Sequence, residues 1–387
     1  MPRKIRMGMV GGGTGAFIGA VHRMAAGLDG QIDLVCGAFS SHPRISRESG
    51  KVLFLPADRV YGSYAEMFAA ERGLPPGERM DFVAIVTPNH LHYPVARMAL
   101  QAGFHVLCDK PATFSLAEAK ALQALVKRTG LLYGLTHNYT GYPLVKEARE
   151  RVRRGAIGKV RKVVVEYLQG WLSTLLEGTG QKQAAWRTDP RRSGASGCMG
   201  DIGTHAENLA EYVTGLRIQE VCADLRTLVK GRRLEDDGSV LLHLQGGVQG
   251  LLYASQVAAG EENGLRLRVY GERGGLEWSH ADPNTLLVKW LDRPTEVVRA
   301  GTNYPHLGRA ALGNLRVPGG HPEGFIEAFA NLYRNFAMTL RCRLEGKKPR
   351  PEYLDFPGIE DGVRGMAFIE TLIRSARSPR KWTRMLS

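Results

Sequence analysis

Gly11-Gly-Gly13-Thr-Gly15-Ala16 is the stretch that decides the fold, and it directly follows the apolar run Ile5-Arg-Met-Gly-Met-Val10. Residues 16–28 then repeat apolar side chains at helical spacing. A strand, a glycine-rich turn and a helix in this order, with the pattern G-x-G-x-x-A, are typical of a dinucleotide-binding βαβ unit. The turn therefore predicts a bound dinucleotide near the start of the chain.

Each small residue of this turn has an expected role. Gly11 permits a tight turn, Gly13 lets the backbone approach a pyrophosphate, and Ala16 permits close packing of the helix on the strand. The first N–H groups of the helix have no partner within the helix and attract phosphate oxygens. We expect six residues to contact the dinucleotide: Gly11, Gly13, Thr14, Gly15, Ala16 and Phe17.

Strand-like and helix-like segments alternate up to about residue 138. Predicted strands lie at residues 5–10, 32–39, 59–63, 81–87, 105–108 and 131–137. Ser115 and Glu118 have capping-box spacing, which predicts a helix from there to about residue 129. Continuous apolar strands joined by helical crossovers favour a doubly wound parallel sheet, because such strands are buried on both faces. The sequence thus predicts an α/β fold whose N-terminal Rossmann domain covers residues 1–138.

The pattern changes after residue 140, where strands follow one another without helices between them. Predicted strands lie at residues 160–168, 220–229, 239–244, 248–256 and 265–270. Gly246 and Gly247 have the two-residue signature of a hairpin turn between antiparallel strands. Helices are expected near residues 201–213 and 322–343. A second α/β domain over residues 139–387, built on a large and mostly antiparallel sheet, is predicted.

The composition of the 387 residues is that of a folded protein. Hydrophobic residues make up 43% and charged residues 23%, which excludes a largely disordered chain. Since no run of ~18 apolar residues occurs, we expect no membrane span. The first residues show no apolar h-region and no small-residue cleavage site, so we expect no secretory signal and a cytoplasmic location. The five cysteines form no C-x-x-C pair, which favours reduced thiols over disulfides or a zinc site.

The chain is strongly basic, with 52 Lys and Arg against 38 Asp and Glu and a net charge of +14. Such an excess favours anionic partners, among them a dinucleotide. No block of five or six like charges occurs, so solvated faces explain the excess and we expect no nucleic-acid partner.

The end of the second predicted strand bears on the choice between NAD and NADP. An acidic residue there usually binds the ribose 2′-hydroxyl, but no Asp or Glu lies between Asp33 and Glu48. Ser40, Ser41 and Arg44 follow instead, and two hydroxyls with a guanidinium suit a 2′-phosphate. The pattern tilts mildly toward NADP, while a polar turn indifferent to the phosphate fits it nearly as well.

Three further motifs follow the glycine turn in order along the chain. They are Thr87-Pro-Asn89-His-Leu-His92, Cys108-Asp-Lys110-Pro111 and Gly200-Asp201-Ile-Gly-Thr-His205. With the glycine turn, this ordered set resembles the Gfo/Idh/MocA family, the relatives of glucose–fructose oxidoreductase and inositol dehydrogenase, over essentially the whole chain. The resemblance implies a Rossmann domain and an α/β domain whose open sheet serves a homo-oligomer, a dimer or tetramer. It also implies NAD(P)-dependent oxidation or reduction of sugars and polyols.

The resemblance implies that Lys110, Asp201 and His205 are catalytic and contact the substrate. Oxidising a secondary alcohol requires removal of the hydroxyl proton, and an imidazole of near-neutral pKa suits that base role. A lysine ammonium can position the oxygen, and a carboxylate four residues from the imidazole can orient it. Taken singly, Asp201 also suits a helix cap and His205 a structural histidine. No third ligand accompanies the pair, so no metal site is predicted.

The same resemblance implies further site residues. Those expected near the cofactor are Thr87, Pro88, Asn89, His92, Asp109 and Lys110, and those expected near the substrate are His137 and Tyr139. Trp186 and Arg187, which precede a loop rich in Gly and Ser, join the substrate group because of their residue types. An aromatic face and a guanidinium suit a sugar site. A plain turn and N-cap before a helix explain Pro88, Asn89 and His92 equally well, and core packing explains the histidine, the tyrosine and the tryptophan of the second group.

Two positions depart from the family pattern. Asp109 stands where relatives carry Glu, and Asn208 stands where they carry an acidic residue or histidine, which leaves the identity of the substrate open.

Two other functions fit the same fold. One alternative function is an NAD-dependent glycoside hydrolase, which regenerates its cofactor at every turnover. The other is a non-catalytic dinucleotide-sensing scaffold. Net formation of NAD(P)H excludes the first alternative, and turnover on a polyol excludes the second.

Overall fold

The computed structural model describes residues 3–387, so Met1 and Pro2 of the predicted first domain lie outside the described residues. The chain divides into two compact units. The first holds residues up to Asn138 together with Phe325–Val363, and the second holds Tyr139–Gly324 and Arg364–Ser387.

The elements are numbered in chain order. The strands are β1 Ile5–Gly11, β2 Ile32–Ala38, β3 Phe82–Val86, β4 His105–Cys108, β5 Tyr133–Leu135, β6 Val160–Leu168, β7 Ile218–Arg226, β8 Asp237–Leu244, β9 Gln249–Ser255, β10 Gly264–Gly271, β11 Gly274–Ser279, β12 Thr285–Trp290, β13 Glu296–Arg299 and β14 Thr383–Arg384. The helices are α1 Phe17–Leu28, α2 Pro43–Val52, α3 Tyr64–Gly73, α4 His92–Gln101, α5 Leu116–Thr129, α6 Pro143–Arg153, α7 Lys182–Arg187, α8 Pro190–Ser193, α9 Thr204–Thr214, α10 Arg309–Leu312, α11 Phe325–Leu344 and α12 Ile359–Ala376.

The first unit confirms the predicted doubly wound parallel sheet. Its five strands lie in the order β2-β1-β3-β4-β5, and every pair is parallel. Separate apolar clusters cover the two faces, one drawing on α4 and α5 and the other on α1 and α11. Because β1 pairs with both β2 and β3, the carboxyl ends of β1 and β3 flank the crevice where open α/β sheets bind ligands.

The helix expected at Ser115 begins there, as the capping box predicts. The Ser115 hydroxyl accepts a hydrogen bond from the Glu118 N–H at 3.3 Å, and α5 ends at Thr129, which is followed by Gly130 with φ +65°. A side-chain acceptor at the N-cap and a left-handed glycine after the last turn define the two ends of this helix.

The short strand predicted at residues 59–63 is wrong. Residues 57–59 form a 3-10 turn, and Val60 makes a single bridge to Gly37. The Arg59 side chain turns to the fully buried carboxylate of Glu71, which its guanidinium bonds at 2.8 Å. An ion pair of this kind fixes the segment as a turn.

Helix α11 belongs to the first unit, although the sequence analysis assigned it to the second domain. The sequence analysis placed residues 139–387 together, whereas α11 packs on the first sheet. Its buried Phe329, Tyr333 and Phe336 join the cluster of β1 and β3, and the Tyr333 hydroxyl lies 2.7 Å from Nδ1 of His22 in α1. An apolar helix face covers an apolar sheet face, and that contact takes precedence over chain order.

The second unit is built on nine strands in the order β13-β12-β11-β10-β6-β9-β8-β7-β14. The pairs are antiparallel, as predicted, except that β6 and β9 are parallel neighbours. The hairpin between β8 and β9 turns at Gly246 and Gly247, both of positive φ. The carboxyl ends of β6 and β9 consequently lie side by side.

No helix within residues 3–387 combines the length and the apolar character that crossing a bilayer needs.

Candidate active site

The glycine turn joins β1 to α1 and requires glycine at position 11. Gly11 has φ +82°, and a Cβ added there would lie 2.8 Å from the Val86 carbonyl oxygen of β3. Any other residue would be strained and would clash. The close helix–strand approach expected at Ala16 occurs at Gly19, where an added Cβ would lie 2.4 Å from Cα of Gly12. The sequence analysis missed Gly19 because the motif ends three residues before it.

The N-terminus of α1 is open to an anion. Within residues 3–387, no side chain caps Ala16 at the start of this helix, and its first turn holds no acidic residue. The positive end of the helix dipole therefore has no counter-charge of its own. Thr14 and Gly15 are exposed there, and Phe17 is 67% exposed. Backbone N–H groups in this setting fit the pyrophosphate of a dinucleotide.

Thr87 extends this fit on the other side of the turn. A Cβ added at Gly11 would lie 3.0 Å from the Thr87 methyl carbon, so the two residues are neighbours. The Thr87 hydroxyl is buried without a hydrogen-bond partner among the described residues. Because a buried hydroxyl without a partner is costly, a ligand that bonds it accounts for its position. The turn, the helix end and this hydroxyl together fit a dinucleotide.

His92 braces two turns of the predicted cofactor site. Its buried ring places Nδ1 at 2.6 Å from the Pro111 carbonyl oxygen and Nε2 at 2.8 Å from that of Thr87. Burial lowers the pKa of His92, although the Pro111 carbonyl and the charge of Asp109 oppose the shift. The ring links the turn after β3 to the segment that follows Lys110.

Pro88 and Asn89 belong to the turn that His92 braces. Pro88 precedes a short 3-10 turn over Asn89–Leu91, and Asn89 is buried. Both residues thus lie directly after the carboxyl end of β3, where the sequence predicted them.

Asp109 fixes the backbone at Lys110. One oxygen of its carboxylate accepts a bond from the Lys110 N–H at 2.8 Å and another from the Thr136 hydroxyl at 3.0 Å. Lys110 itself is half-buried at the end of β4. His137, after β5, is buried, and burial together with the nearby Lys110 charge lowers its pKa to about 3. This histidine is therefore neutral at physiological pH.

Ser40, Ser41 and Arg44 gather after β2. The Ser40 hydroxyl accepts a bond from the His42 N–H at 3.1 Å, and Ser41 is exposed. The Arg44 side chain is 87% exposed and bonds Glu48 one helical turn along at 2.9 Å. An exposed ion pair of this kind contributes little stability, so the guanidinium can exchange Glu48 for a phosphate at small cost.

In the second unit, Asp201 lies just before helix α9 and His205, four residues later, lies in its first turn. Residues Met199–Gly203 form a π-helical turn that continues into α9 at Thr204. π-Helical turns inside helices occur frequently at functional sites. The predicted pair is thus carried by a single continuous helical segment.

A largely buried carboxylate holds the chain ahead of this pair. Oε1 of Glu235 accepts bonds from the Gly197 N–H at 2.9 Å, the Met199 N–H at 3.2 Å and the Ser196 hydroxyl. Burial raises the pKa of Glu235, and these donors oppose the shift. Three donors on one oxygen fix the start of the π-helical turn.

The Asp201 carboxylate is held by two donors. Gln256 donates its Nε2 to Oδ2 at 2.9 Å, and Nε of Arg187 lies 3.3 Å from the same oxygen. The Arg187 guanidinium lies 4.4 Å from the ring centre of Trp186 and 5.9 Å from that of Trp171. The predicted Trp186, Arg187 and Asp201 therefore meet in one cluster, in which cation–π contacts orient the guanidinium.

The imidazole of His205 is 7% exposed and packs against tyrosines. The Tyr139 ring lies 4.9 Å away at an interplanar angle of 87°, and the Tyr167 ring lies 6.2 Å away. Asn208, one turn along α9, has its Oδ1 buried without a hydrogen-bond partner among residues 3–387. The departure from the family pattern thus leaves a buried acceptor close to His205 in the chain.

Several residues of this cluster escaped the sequence analysis, namely Gln169, Trp171, Gln256 and Asn263. Gln169 and Gln256 directly follow β6 and β9, whose parallel pairing brings their carboxyl ends together. A polar residue after each strand was visible in the sequence. The proximity of Gln169 and Gln256 was not visible in the sequence, because antiparallel pairing was expected for the strands of this sheet.

Comparison with known proteins agrees with this architecture. Residues 5–137 match the model of an oxidoreductase family with an NAD-binding Rossmann fold, and residues 145–277 match the GFO/IDH/MocA C-terminal domain. The fold and the glycine turn thus define a two-domain, NAD-binding oxidoreductase. The chain belongs to the Gfo/Idh/MocA family, as the ordered motifs predicted.

Three relatives show how far the similarity extends. An uncharacterized oxidoreductase of Bacillus subtilis, YfiI, is 32% identical, over 98% of this chain and 96% of its own. The solved structure of an oxidoreductase from Sinorhizobium meliloti has 42% identity and a TM-score of 0.88, covering 98% of this chain and 99% of that one. An inositol dehydrogenase homolog from Azotobacter vinelandii, solved with NAD⁺, has 36% identity and a TM-score of 0.92, covering 99% and 97%. The structure of that homolog with NADH and myo-inositol has 35% identity and a TM-score of 0.90, covering 99% of this chain and 98% of that one.

No group of three or more His, Cys, Asp or Glu side chains within residues 3–387 is arranged to hold a metal ion.

Proposed function

We propose that this oxidoreductase transfers a hydride between a secondary hydroxyl of a sugar or inositol-like polyol and the nicotinamide of NAD or NADP. The observation that carries the proposal is the Asp201–His205 pair, whose carboxylate is held by a guanidinium and an amide and whose imidazole packs on aromatic rings. Polar donors beside aromatic faces suit a ligand that carries several hydroxyls.

Each catalytic residue has a distinct role in this proposal. The nicotinamide of the bound cofactor supplies the hydride chemistry. Lys110 orients the oxygen of the reacting hydroxyl, and His205 takes up its proton. Asp201 orients the imidazole or binds a neighbouring substrate hydroxyl. The myo-inositol complex of the Azotobacter vinelandii relative supports the polyol class.

A substrate panel tests the function. Inositols, pyranoses and their derivatives are incubated separately with NAD and with NADP, and the formation of NAD(P)H is followed by absorbance. We expect net reduction of the cofactor with at least one cyclic polyol. Cleavage of a glycoside without net NAD(P)H formation would favour the hydrolase, and cofactor binding without any turnover would favour the sensing scaffold.

We further propose that the cofactor site accepts NADP as well as NAD and prefers NADP. The support is the set of two serines and Arg44 after β2, in a segment without an acidic side chain between Asp33 and Glu48. Arg44 would exchange Glu48 for a 2′-phosphate there and would hold it by a charge-assisted bond. Comparison of kcat/KM for the two cofactors tests this preference.

We also propose a cytoplasmic homo-oligomer, a dimer or tetramer, that docks through one face of the nine-stranded sheet. A cross-strand row on this face runs through Leu241, Leu251, Val164, Arg268, Glu277, Leu287 and Val297. The row is exposed at two widely separated strands, since Leu241 of β8 is 45% and Val297 of β13 60% exposed. Light scattering after gel filtration gives the subunit number, and Leu241→Glu should lower that number.

The proposed cytoplasmic location is supported by the five free thiols, which fit a reducing compartment.

A further inference from the structure

Four side chains of the second unit form a chain of hydrogen bonds whose direction is set at one end. The indole N–H of Trp171, which can only donate, bonds Oε1 of Gln169 at 3.0 Å. Gln169 therefore presents its Nε2 to Oδ1 of Asn263, at 2.8 Å. Asn263 in turn presents its Nδ2 to the Tyr139 hydroxyl oxygen, at 3.1 Å. One indole thus fixes the orientation of two amides.

Tyr139, Tyr167 and Asn263 close this chain into a ring. The Tyr167 hydroxyl donates to Oδ1 of Asn263 at 2.7 Å, and the two tyrosine hydroxyls contact each other. The Tyr139 hydroxyl accepts a hydrogen bond from Asn263, and the Tyr167 hydroxyl donates its own proton to Asn263. The Tyr139 hydroxyl therefore donates its proton to the Tyr167 oxygen. Both tyrosines are 3% exposed. Each hydroxyl donates once and accepts once, and such closed networks strengthen cooperatively.

This network connects the surroundings of Asp201 with those of His205. At one end the Tyr139 ring packs perpendicular to the His205 imidazole, 4.9 Å away. At the other end the Trp171 ring lies 5.9 Å from the Arg187 guanidinium, which contacts Asp201 at 3.3 Å. One set of hydrogen bonds therefore ends in a ring contact to His205 on one side and in a cation–π contact to the Arg187 that holds Asp201 on the other.

We propose that Tyr139 is a positioning residue that fixes the plane of the His205 imidazole, and that the indole N–H of Trp171 sets the polarity of the network that holds Tyr139. The catalytic meaning of this inference rests on the proposed function. Tyr139 acts through the imidazole, which differs from the direct substrate contact predicted from the sequence. Trp171 acts on His205 from a distance, through two amides and a phenol.

A double-mutant cycle tests the connection. Tyr139→Phe breaks the ring and is expected to lower kcat about tenfold while KM stays within about twofold. Trp171→Phe keeps an aromatic face for Arg187 but loses the donor, and we expect a kcat about fivefold lower. Because the residues act as one network, the double variant should lose about tenfold rather than the product, about 50-fold. Effects that multiply would overturn the proposal.

Trp186→Phe is the matched comparison. Trp186 also lies against Arg187, but its indole N–H bonds Oε1 of Gln183 at 3.1 Å, outside the network. Its effect, whatever its size, should multiply with that of Tyr139→Phe. Non-additivity of the same size in both cycles would show a general loosening of the unit and would also overturn the proposal.

A readout without turnover separates this inference from the proposed function. In ¹³C-histidine-labelled protein, the His205 imidazole resonance, assigned by its loss in His205→Asn, should shift in Tyr139→Phe and in Trp171→Phe but not in Trp186→Phe. If these shifts occur and no polyol is turned over, the network stands and the proposed function falls. If polyol is turned over and the resonance stays in place in both network variants, the network proposal falls.

Discussion

The glycine turn of the first unit and the polar cluster of the second are built in opposite ways. The turn is made of consecutive residues, 11–16, that join one strand to one helix. The cluster draws side chains from positions 139 to 263, and the parallel pairing of β6 with β9 brings two of its contributing segments together. A contiguous motif specifies its geometry locally, whereas an assembled site depends on the topology of a whole sheet.

Replacing His205 should produce the largest effect, because it removes the proposed general base of the second unit and leaves the turn of the first intact. We expect His205→Ala to lower kcat by roughly 10²–10⁴, the range for a lost acid–base group. NAD(P)H affinity, measured by fluorescence titration, should not change. His321→Ala, a substitution of an exposed histidine of the same unit, is the control. Full turnover of His205→Ala would reject the assigned role.

Acidification should separate the stabilities of the two units. In the first unit, burial lowers the pKa of His22 to about 4, of His105 to about 4 and of His137 to about 3. An unfolded histidine has a pKa near 6.5, so below that pH the unfolded chain binds more protons than the folded one. This stabilisation is complete above about pH 6.5 and is lost progressively toward pH 4, by roughly 1 kcal/mol per histidine and pH unit.

Hydrogen exchange measures that difference. Protection factors compared at pH 7.5 and pH 5 should fall more in the first unit than in the second. His105→Gln is the informative variant, because Nδ1 of His105 accepts the Leu132 N–H at 2.8 Å and a glutamine oxygen can replace it. The variant should show a shallower loss of stability with pH. An equal loss in both units would contradict the expectation.

Two glycine substitutions test how strictly the turn is specified. Gly11 and Gly15 both have positive φ, but a Cβ meets the Val86 carbonyl only at Gly11 and meets nothing within 4 Å at Gly15. Gly15→Ala should lower the free energy of unfolding by about 1 kcal/mol, and Gly11→Ala by about 3 kcal/mol. Urea denaturation measures both. Equal effects would show that backbone strain alone, without the close contact, governs the turn.

The smallest effect is expected at the cofactor's 2′ position. Arg44→Ala should lower kcat/KM for NADP about fivefold and leave that for NAD unchanged, because an exposed guanidinium contributes only about 1 kcal/mol. Arg47→Ala, on the same exposed helix, is the matched control. A preference for NAD in the unaltered protein would overturn the NADP proposal.

The sequence predicted the features that depend on neighbours in the chain. The β1–turn–α1 unit, the parallel sheet and the helical segment that carries Asp201 and His205 all follow from local spacing. Gln256 and Asn263 were not predicted, because their role depends on the Asp201 oxygen and the Tyr139 hydroxyl, which lie far away in the sequence. The position of α11 was missed for the same reason, since its apolar face shows no preference between two sheets.

Helix α11 has a consequence for how the protein is made. The face of the first sheet that it covers is complete only after residue 344 has been synthesised. A ribosome-bound chain that ends near residue 138 therefore carries a nucleotide-binding sheet with one face that has α1 on it but lacks its α11 cover. For the same reason an excised fragment of residues 1–138 should aggregate, whereas a fragment that also includes residues 325–363 should stay dispersed.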